Sequence, residues 1–336
     1  MELGHDETLE RYTIAVVVPA YNEELLIQET LQGIPDYVTS IYVVDDGSSD
    51  RTAEQIVALN DPRIVFIRHE VNKGVGAAIV TGYRLAKADQ VDLIAVMGGD
   101  NQMDPEELPR LLVPVIEGDA DYAKGNRLAS RVYRKGMSRW RQFGNFVLTT
   151  LTKLASGYWD ISDPQNGYTV ISRQALGVLN LETIYTYYGY CNDMLIKLNA
   201  AGLRTADVVM PARYGRERSS IRYGKYVRKV APMLLRGFFG RLKSRYVVQR
   251  FRPIIVPYGA GIIALPLGVL ISAGALVAQF AQLHDVAQLA LDGVSLVVVG
   301  AILFGSGVLF EMRANPNRHD EGDRGLKAAP RQTITS

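Results

Sequence analysis

Residues 13–34 read TIAVVVPAYNEELLIQETLQGI. A β-branched apolar run ends at Pro19, a polar bend Tyr21-Asn22-Glu23 follows, and apolar residues then recur at helical spacing. This predicts a buried strand, a tight turn and an amphipathic helix. The pattern recurs downstream. SIYVVDD (40–46) leads into SDRTAEQIVALN (49–60), a helix with Ser49 or Asp50 as N-cap. RIVFIRH (63–69) leads into GVGAAIVTGYRLAKA (74–88), and VDLIAVMGG (91–99) is a fourth strand with a nearly continuous apolar run. Such alternation implies an α/β fold with a mostly parallel sheet, Rossmann-like in its order.

Ligands of such sheets bind at the carboxyl ends of the strands. Polar clusters follow all four strands: PAYNE (19–23), DDGSSD (45–50), NKGVG (72–76) and Asp100 to Asp104. Each alone reads as an ordinary turn or helix cap; four on one rim predict a pocket. A dinucleotide fingerprint needs G-x-G-x-x-G after the first strand, where this chain has PAYNEE, and no G-x-x-x-x-G-K-[ST] phosphate loop occurs. The bend after strand four is more informative. Mg²⁺ uses one or two protein oxygens plus substrate phosphates, and Asp100 and Gln102 can point to one such centre. Gly98 and Gly99 remove side chains that would obstruct a phosphate or sugar, and permit positive φ at the turn.

The 336 residues carry 37 Lys and Arg against 35 Asp and Glu, so net charge names no partner. Its distribution does, since thirteen basic residues and one acidic residue lie between Arg213 and Arg252. Cys191 is the only cysteine, which excludes an intrachain disulfide, and the four histidines are scattered, with no zinc pattern. The apolar run at the start is too short for a signal segment. No Asp, Glu, Lys or Arg occurs from Pro253 to His284, which exceeds the roughly 20 residues that span a bilayer. GVSLVVVGAILFGSGVLF (293–310) supplies a return helix. Basic residues flank the outer ends of this pair, placing both ends in the cytoplasm. The expected organisation is an α/β domain over 1–212, a basic segment with amphipathic interfacial helices over 213–252, a transmembrane hairpin over 253–311 and a disordered tail over 312–336.

The segments VVVPAYNE, VVDDGSSDRT, NKGVGAAIVTGY, GGDNQMDPEEL, GNRL and DPQNGYTVISR resemble successive blocks of the family 2 inverting glycosyltransferases of GT-A fold. The similarity is strongest to the polyprenyl-phosphate sugar synthases of the dolichol-phosphate mannose synthase type, and it covers roughly residues 12 to 222. The resemblance implies a donor site at Pro19, Tyr21, Asn22, Glu23, Asp46, Lys73, Gly98 and Gly99, with Asp46 at the base or ribose. It implies Asp100 and Gln102 as ligands of Mg²⁺ or Mn²⁺, and Arg127 at phosphate near the reaction centre. Members often have D-x-D-x-Q in this loop; Gly98 stands at the first acidic position here, so the metal has one carboxylate fewer.

A phosphate monoester, with a second pKa of about 6, is already a nucleophile at neutral pH. The protein's task is then to bring two anions together, which suits arginine. Arg127, Arg139 and Arg141 are candidates for the acceptor phosphate, with Arg218 and Arg222 as contributors; for all but Arg127 a solvated charge is an equal reading. Asp163 is a candidate to orient an arginine or the sugar, or simply opens an Asp-Pro turn. Asn192 and Asp193 read as helix caps. Tyr185, Tyr187, Tyr188 and Tyr190 suit sugar, lipid or core packing.

Val227, Val230, Leu234, Phe238 and Leu242 recur at helical spacing among Lys and Arg, predicting a helix on an anionic membrane surface rather than a nucleic-acid groove. The expected enzyme moves one sugar from a UDP- or GDP-linked donor to a dolichyl or undecaprenyl phosphate. It would be a hexosyltransferase in the cytoplasmic or endoplasmic-reticulum membrane, facing the cytosol. The resemblance also implies a homo-oligomer. A membrane-tethered transferase with a hydroxyl acceptor and a non-catalytic scaffold are the alternatives. A processive polysaccharide synthase is disfavoured because Gly136 replaces the glutamine of Q-x-x-R-W before Trp140.

Overall fold

The computed structural model describes residues 9–129, 139–211, 213, 223–248, 252–253, 255–281 and 286–314. Arg218, Arg222 and the tail beyond 314 lie outside them. Three βα units open the chain: β1 (Ile14–Ala20), α1 (Ile27–Gln32), β2 (Ser40–Asp45), α2 (Thr52–Val57), β3 (Ile64–Arg68) and α3 (Val75–Ala88). Next come β4 (Leu93–Val96), a 3-10 turn at Pro105–Glu107, α4 (Leu108–Ile116), β5 (Tyr122–Asn126), α5 (Arg139–Ser156), β6 (Thr169–Ser172), α6 (Arg173–Val178), α7 (Tyr190–Ala200) and β7 (Thr205–Val209). The chain then runs through α8 (Tyr223–Lys243), a π-helical turn at Ser244–Val248, α9 (Ile255–Phe280) and α10 (Val286–Arg313).

The seven strands are ordered β3-β2-β1-β4-β6-β5-β7. All run parallel except β6, which is antiparallel to both β4 and β5. Alternation along β1 explains the layering. Ile14, Val16 and Val18 face a core completed by α1 and α4, while Ala15 and Val17 face one built on α3 and α7. A third cluster joins α8 to Ala155, Ile196 and Tyr258.

That third cluster corrects one expectation. Val230, Leu234, Phe238 and Leu242 are buried against the catalytic domain and the hairpin's Tyr258 and do not face lipid; the Val227 side chain lies outside the described ones. The period of the stripe was right, but its partner is protein, because α5 and α7 present a complementary apolar face. The outer side of α8 carries Leu235 and Phe239 instead, beside exposed Lys229 and Arg236.

Several element boundaries also differ. α2 covers only Thr52–Val57, with Arg51 rather than Ser49 or Asp50 at its N-cap, and Asp50 Oδ1 accepts from Thr52 N (3.0 Å). α1 begins at Ile27 rather than near Glu23: residues 24–26 form a turn closed on the Glu23 carbonyl, and the amides of Glu23 and Glu24 donate to Thr52 Oγ1 (2.8 Å) and Asp50 Oδ2 (3.2 Å). β4 ends at Val96, since the Gly98 amide turns to Met103 Sδ (3.2 Å). Asn192 and Asp193 lie inside the first turn of α7; the Asp193 carboxylate accepts from Tyr185 N (2.8 Å) and Lys197 Nζ (2.6 Å), so neither residue caps the helix.

α9 and α10 are each long and apolar enough to cross a membrane. They pack backbone to backbone: a Cβ on Gly261 would lie 2.4 Å from Phe304 N, and one on Gly268 would lie 2.6 Å from Val297 N.

Candidate active site

Four strand ends and one strand start meet at a single rim. β1, β2, β4 and β5 end there because they are parallel, whereas the reversed β6 begins there, with Thr169 opposite both Val96 and Lys124. The turn 163–168 that feeds β6 is thereby brought to the loop after β4. Tyr168 OH donates to the carbonyl of Asp104 (3.0 Å).

The loops after β1 and β2 are stitched together. Asn22, in the left-handed region at φ 58°, donates its amide to Ser48 Oγ (2.9 Å) and accepts from the Ser49 amide (2.9 Å). Asn22 therefore holds the loop, while neighbouring Tyr21 projects with about half its surface exposed. The Pro19 carbonyl accepts from Gly99 N (3.1 Å), joining this sector to the acidic loop. Asp46 is buried, and its two oxygens accept from His69 Nδ1 (2.7 Å), Lys73 N (2.9 Å) and Gly74 N (2.7 Å). It anchors the 72–74 loop beneath the rim and leaves the Lys73 side chain exposed. The glycines that follow serve packing: a Cβ on Gly74 or Gly76 would meet the carbonyl of Thr186 or Tyr185 at 2.4 or 2.3 Å.

In the acidic loop, Asp100 is partly exposed and its Oδ1 accepts from Gln102 N (3.2 Å). Neither Gly98 nor Gly99 has positive φ; the bend is made by Asn101 at φ 56°. This overturns the conformational reading of the two glycines, and space is what they supply. A Cβ on Gly98 would sit 3.0 Å from Asp100 Oδ1, and one on Gly99 would sit 3.0 Å from Ile27 Cδ1. No group of three His, Cys, Asp or Glu converges among the described residues. One carboxylate and one amide are a hard-oxygen set that fits Mg²⁺ or Mn²⁺ when a diphosphate and water complete the shell.

Across the rim, Asp163 binds Arg127. The carboxylate accepts from Arg127 N (3.2 Å), Nε (2.9 Å) and an Nη (3.4 Å), with its side chain 2% exposed against 37% for the arginine. A buried carboxylate thus aims a partly exposed guanidinium. Arg139 and Arg141 lie in the first turn of α5, and their side chains are outside the described ones.

Sequence reasoning missed the layer below. Lys124 is fully buried, donates to the carbonyl of Asn166 in the turn carrying Asp163, and is pushed below the usual lysine range by burial. Asn126 donates to Asp207 Oδ2 (2.5 Å), which also accepts from Ser162 N (3.2 Å). Burial raises Asp207 to about 6. A signal existed in YAKGN, where Lys124 and Asn126 share the strand phase of buried Tyr122.

A mostly parallel sheet with one reversed strand, an acidic loop after β4 and a carboxylate-held arginine opposite it define a sugar transferase of GT-A architecture. The chain belongs to glycosyl transferase family 2, whose profile matches residues 15–179. It is 29% identical over 216 residues to the UDP-N-acetylglucosamine–dolichyl-phosphate N-acetylglucosaminyltransferase of Methanococcus voltae, covering 60% of this chain and 86% of that one. It is 31% identical over 184 residues to the polyprenol monophosphomannose synthase of Mycolicibacterium smegmatis, covering 52% and 67%. Among solved structures, glucosyl-3-phosphoglycerate synthase of Mycobacterium tuberculosis shares the fold at TM-score 0.55 and 24% identity, over 70% of this chain and 84% of that one.

Proposed function

We propose that this glycosyltransferase moves one sugar from a UDP- or GDP-linked donor to a polyprenyl monophosphate in a membrane, with inversion at the anomeric carbon. One observation carries the reading. Arg127, held by buried Asp163, lies on the same rim as Asp100, on a domain joined to two helices of membrane-spanning length. The stitched loops around Tyr21, Asn22 and Glu23 take the nucleotide, with Asp46 positioning Lys73 beside it. Asp100 and Gln102 would hold a divalent cation, which would supply charge neutralisation for a diphosphate leaving group. Arg127 presents the acceptor phosphate to the sugar carbon, with Arg139, Arg141, Arg218 and Arg222 as further phosphate contacts.

The carboxylate that holds Arg127 is poorly placed to serve a hydroxyl acceptor, which suits an acceptor that is already ionised. A hydroxyl acceptor needs a general base within hydrogen-bond reach. Asp163 has both oxygens engaged by Arg127, while Asp207, below the rim, gives Oδ2 to Asn126 and Ser162 and keeps Oδ1 buried. A prenyl phosphate needs no base. The names of the Methanococcus and Mycolicibacterium relatives point to the same acceptor class. In this reading α9 and α10 span the bilayer with both ends in the cytoplasm, and the outer face of α8 meets anionic headgroups.

The test incubates purified protein with polyprenyl phosphate and a panel of nucleotide sugars, with and without Mg²⁺ or Mn²⁺, and identifies lipid products by mass. A sugar-1-phosphoprenyl product is expected with cation and wild-type protein. Asp100→Asn should lower its formation about a hundredfold or more, in line with losing one transition-state charge contact. A product with the sugar on a hydroxyl would move the reading to the other acceptor class.

A further inference from the structure

The junction between the catalytic domain and the hairpin contains a buried ion pair. Arg241 in the last turn of α8 and Glu311 near the end of α10 are each 2% exposed, and their side chains pair at 2.6 and 3.2 Å. The same guanidinium donates through Nε to the carbonyl of Ala155 (2.8 Å) and through an Nη to that of Leu154 (3.1 Å). Those carbonyls belong to the last turn of α5, where a cation complements the helix end. From α9, Tyr258 OH donates to Glu311 (3.2 Å). One charge pair therefore joins α5, α8, α9 and α10.

The surroundings are shaped for it. A Cβ on Gly157, which sits at φ 75°, would lie 2.8 Å from an Arg241 Nη, and a Cβ on Gly307 would lie 2.3 Å from the Tyr258 ring. Both glycines make room for the assembly. A second arginine repeats the arrangement one turn on: Arg245 donates to Asn199 Oδ1 (2.5 Å) in α7 and to the carbonyl of Ala314 (2.8 Å) just past α10. Apolar residues of similar volume hold helices together as firmly as a buried ion pair does, so cohesion alone does not call for one. A bidentate pair with two further carbonyl acceptors adds a single allowed geometry.

We propose that Arg241 and Glu311 are positioning residues that fix the catalytic rim at one tilt and height over the hairpin, so that a bilayer-embedded acceptor phosphate reaches Arg127. The inference rests on the prenyl-phosphate reading for its consequence in activity, and on geometry alone for the rigid junction.

The test compares wild type with Arg241→Met/Glu311→Met, which removes both charges together and keeps the volume so that the fold survives. Two readouts are used. The first is transfer to a long-chain polyprenyl phosphate in vesicles and to a short, water-soluble prenyl phosphate. The double variant is expected to lose at least tenfold in kcat/KM on the embedded acceptor and to stay within about twofold on the soluble one. The second is the spin-label distance between Val178→Cys on α6 and Ile302→Cys on α10, in a Cys191→Ser background; both labelled sites are exposed. A narrow distribution is expected in the otherwise wild-type background and a broadened one in the double variant. Unchanged distance distributions, or equal losses on both acceptors, would overturn the proposal. Wild-type protein inert toward both acceptors would remove the prenyl-phosphate reading and leave the distance result to decide the junction.

Discussion

Asp163 spends both carboxylate oxygens on Arg127, one of them at 2.9 Å, in a site closed to water on the acid's side. A hydrogen bond to a charged group contributes about 1.5–3 kcal/mol net. Asp163→Asn should therefore lower kcat/KM roughly ten- to a hundredfold, with the acceptor KM rising. Nucleotide affinity should be unchanged, because the loops after β1 and β2 make no use of Asp163; isothermal titration with nucleotide diphosphate and steady-state kinetics separate the two. Asp207 gives a pH signature. Burial raises it to about 6 from an ordinary value near 4, so the folded state holds a proton that the unfolded state has released. Its contribution to stability falls as pH rises from about 4 through 6, and above that the ionised form is a standing cost. Asp207→Asn should raise the unfolding midpoint at pH 7 by an amount equivalent to about 1–3 kcal/mol, and the difference should vanish below about pH 4. Parallel pH–melting curves of the two proteins check this.

At the scale of elements, what was legible depended on how local the cause is. The βα alternation through β4 and the polar clusters at the strand ends follow from periods of two and 3.6 residues, which a sequence displays directly. The reversal of β6 does not, because it is set by pairing with strands that lie dozens of residues away in the chain. The stripe of α8 was visible as a stripe, yet period alone does not say whether lipid or protein covers it. The ion pair of Arg241 with Glu311 spans 70 residues and left no mark beyond a charge in each helix. NKGVG is an intermediate case. Its G-x-G was visible, but the reason for it is the backbone of Tyr185 and Thr186 lying against α3, with Gly76 N donating to Thr186 O (2.8 Å). Gly76→Ala puts a methyl 2.3 Å from the Tyr185 carbonyl oxygen, a backbone atom that cannot rotate aside. Overpacking of this kind costs about 1–3 kcal/mol. The thermal midpoint in detergent should drop, and donor KM should rise, since the displaced segment borders the 72–74 loop held by Asp46.

For the whole molecule, the distribution of the cores separates what the hairpin contributes from what it does not. The two clusters on the faces of the sheet contain no residue from α9 or α10; only the third cluster is shared, through Tyr258 and the residues packed on it. The hydrogen bonds that order the loops around Asn22 and Asp46 likewise stay within residues 19–99. A chain ending at Arg252 should therefore fold its sheet and bind nucleotide diphosphate within about threefold of the full-length affinity, an energy difference below about 1 kcal/mol. It should nevertheless lose transfer to a bilayer-embedded acceptor by about a hundredfold or more, because the rim is no longer held at the membrane. Its α8 should exchange amide hydrogens faster, since Phe238, Tyr246 and Arg241 have lost their partners from the hairpin. Titration calorimetry, hydrogen exchange and mass analysis of lipid products on the truncated chain read these three outcomes. Loss of nucleotide binding would show that the donor loops depend on the hairpin after all.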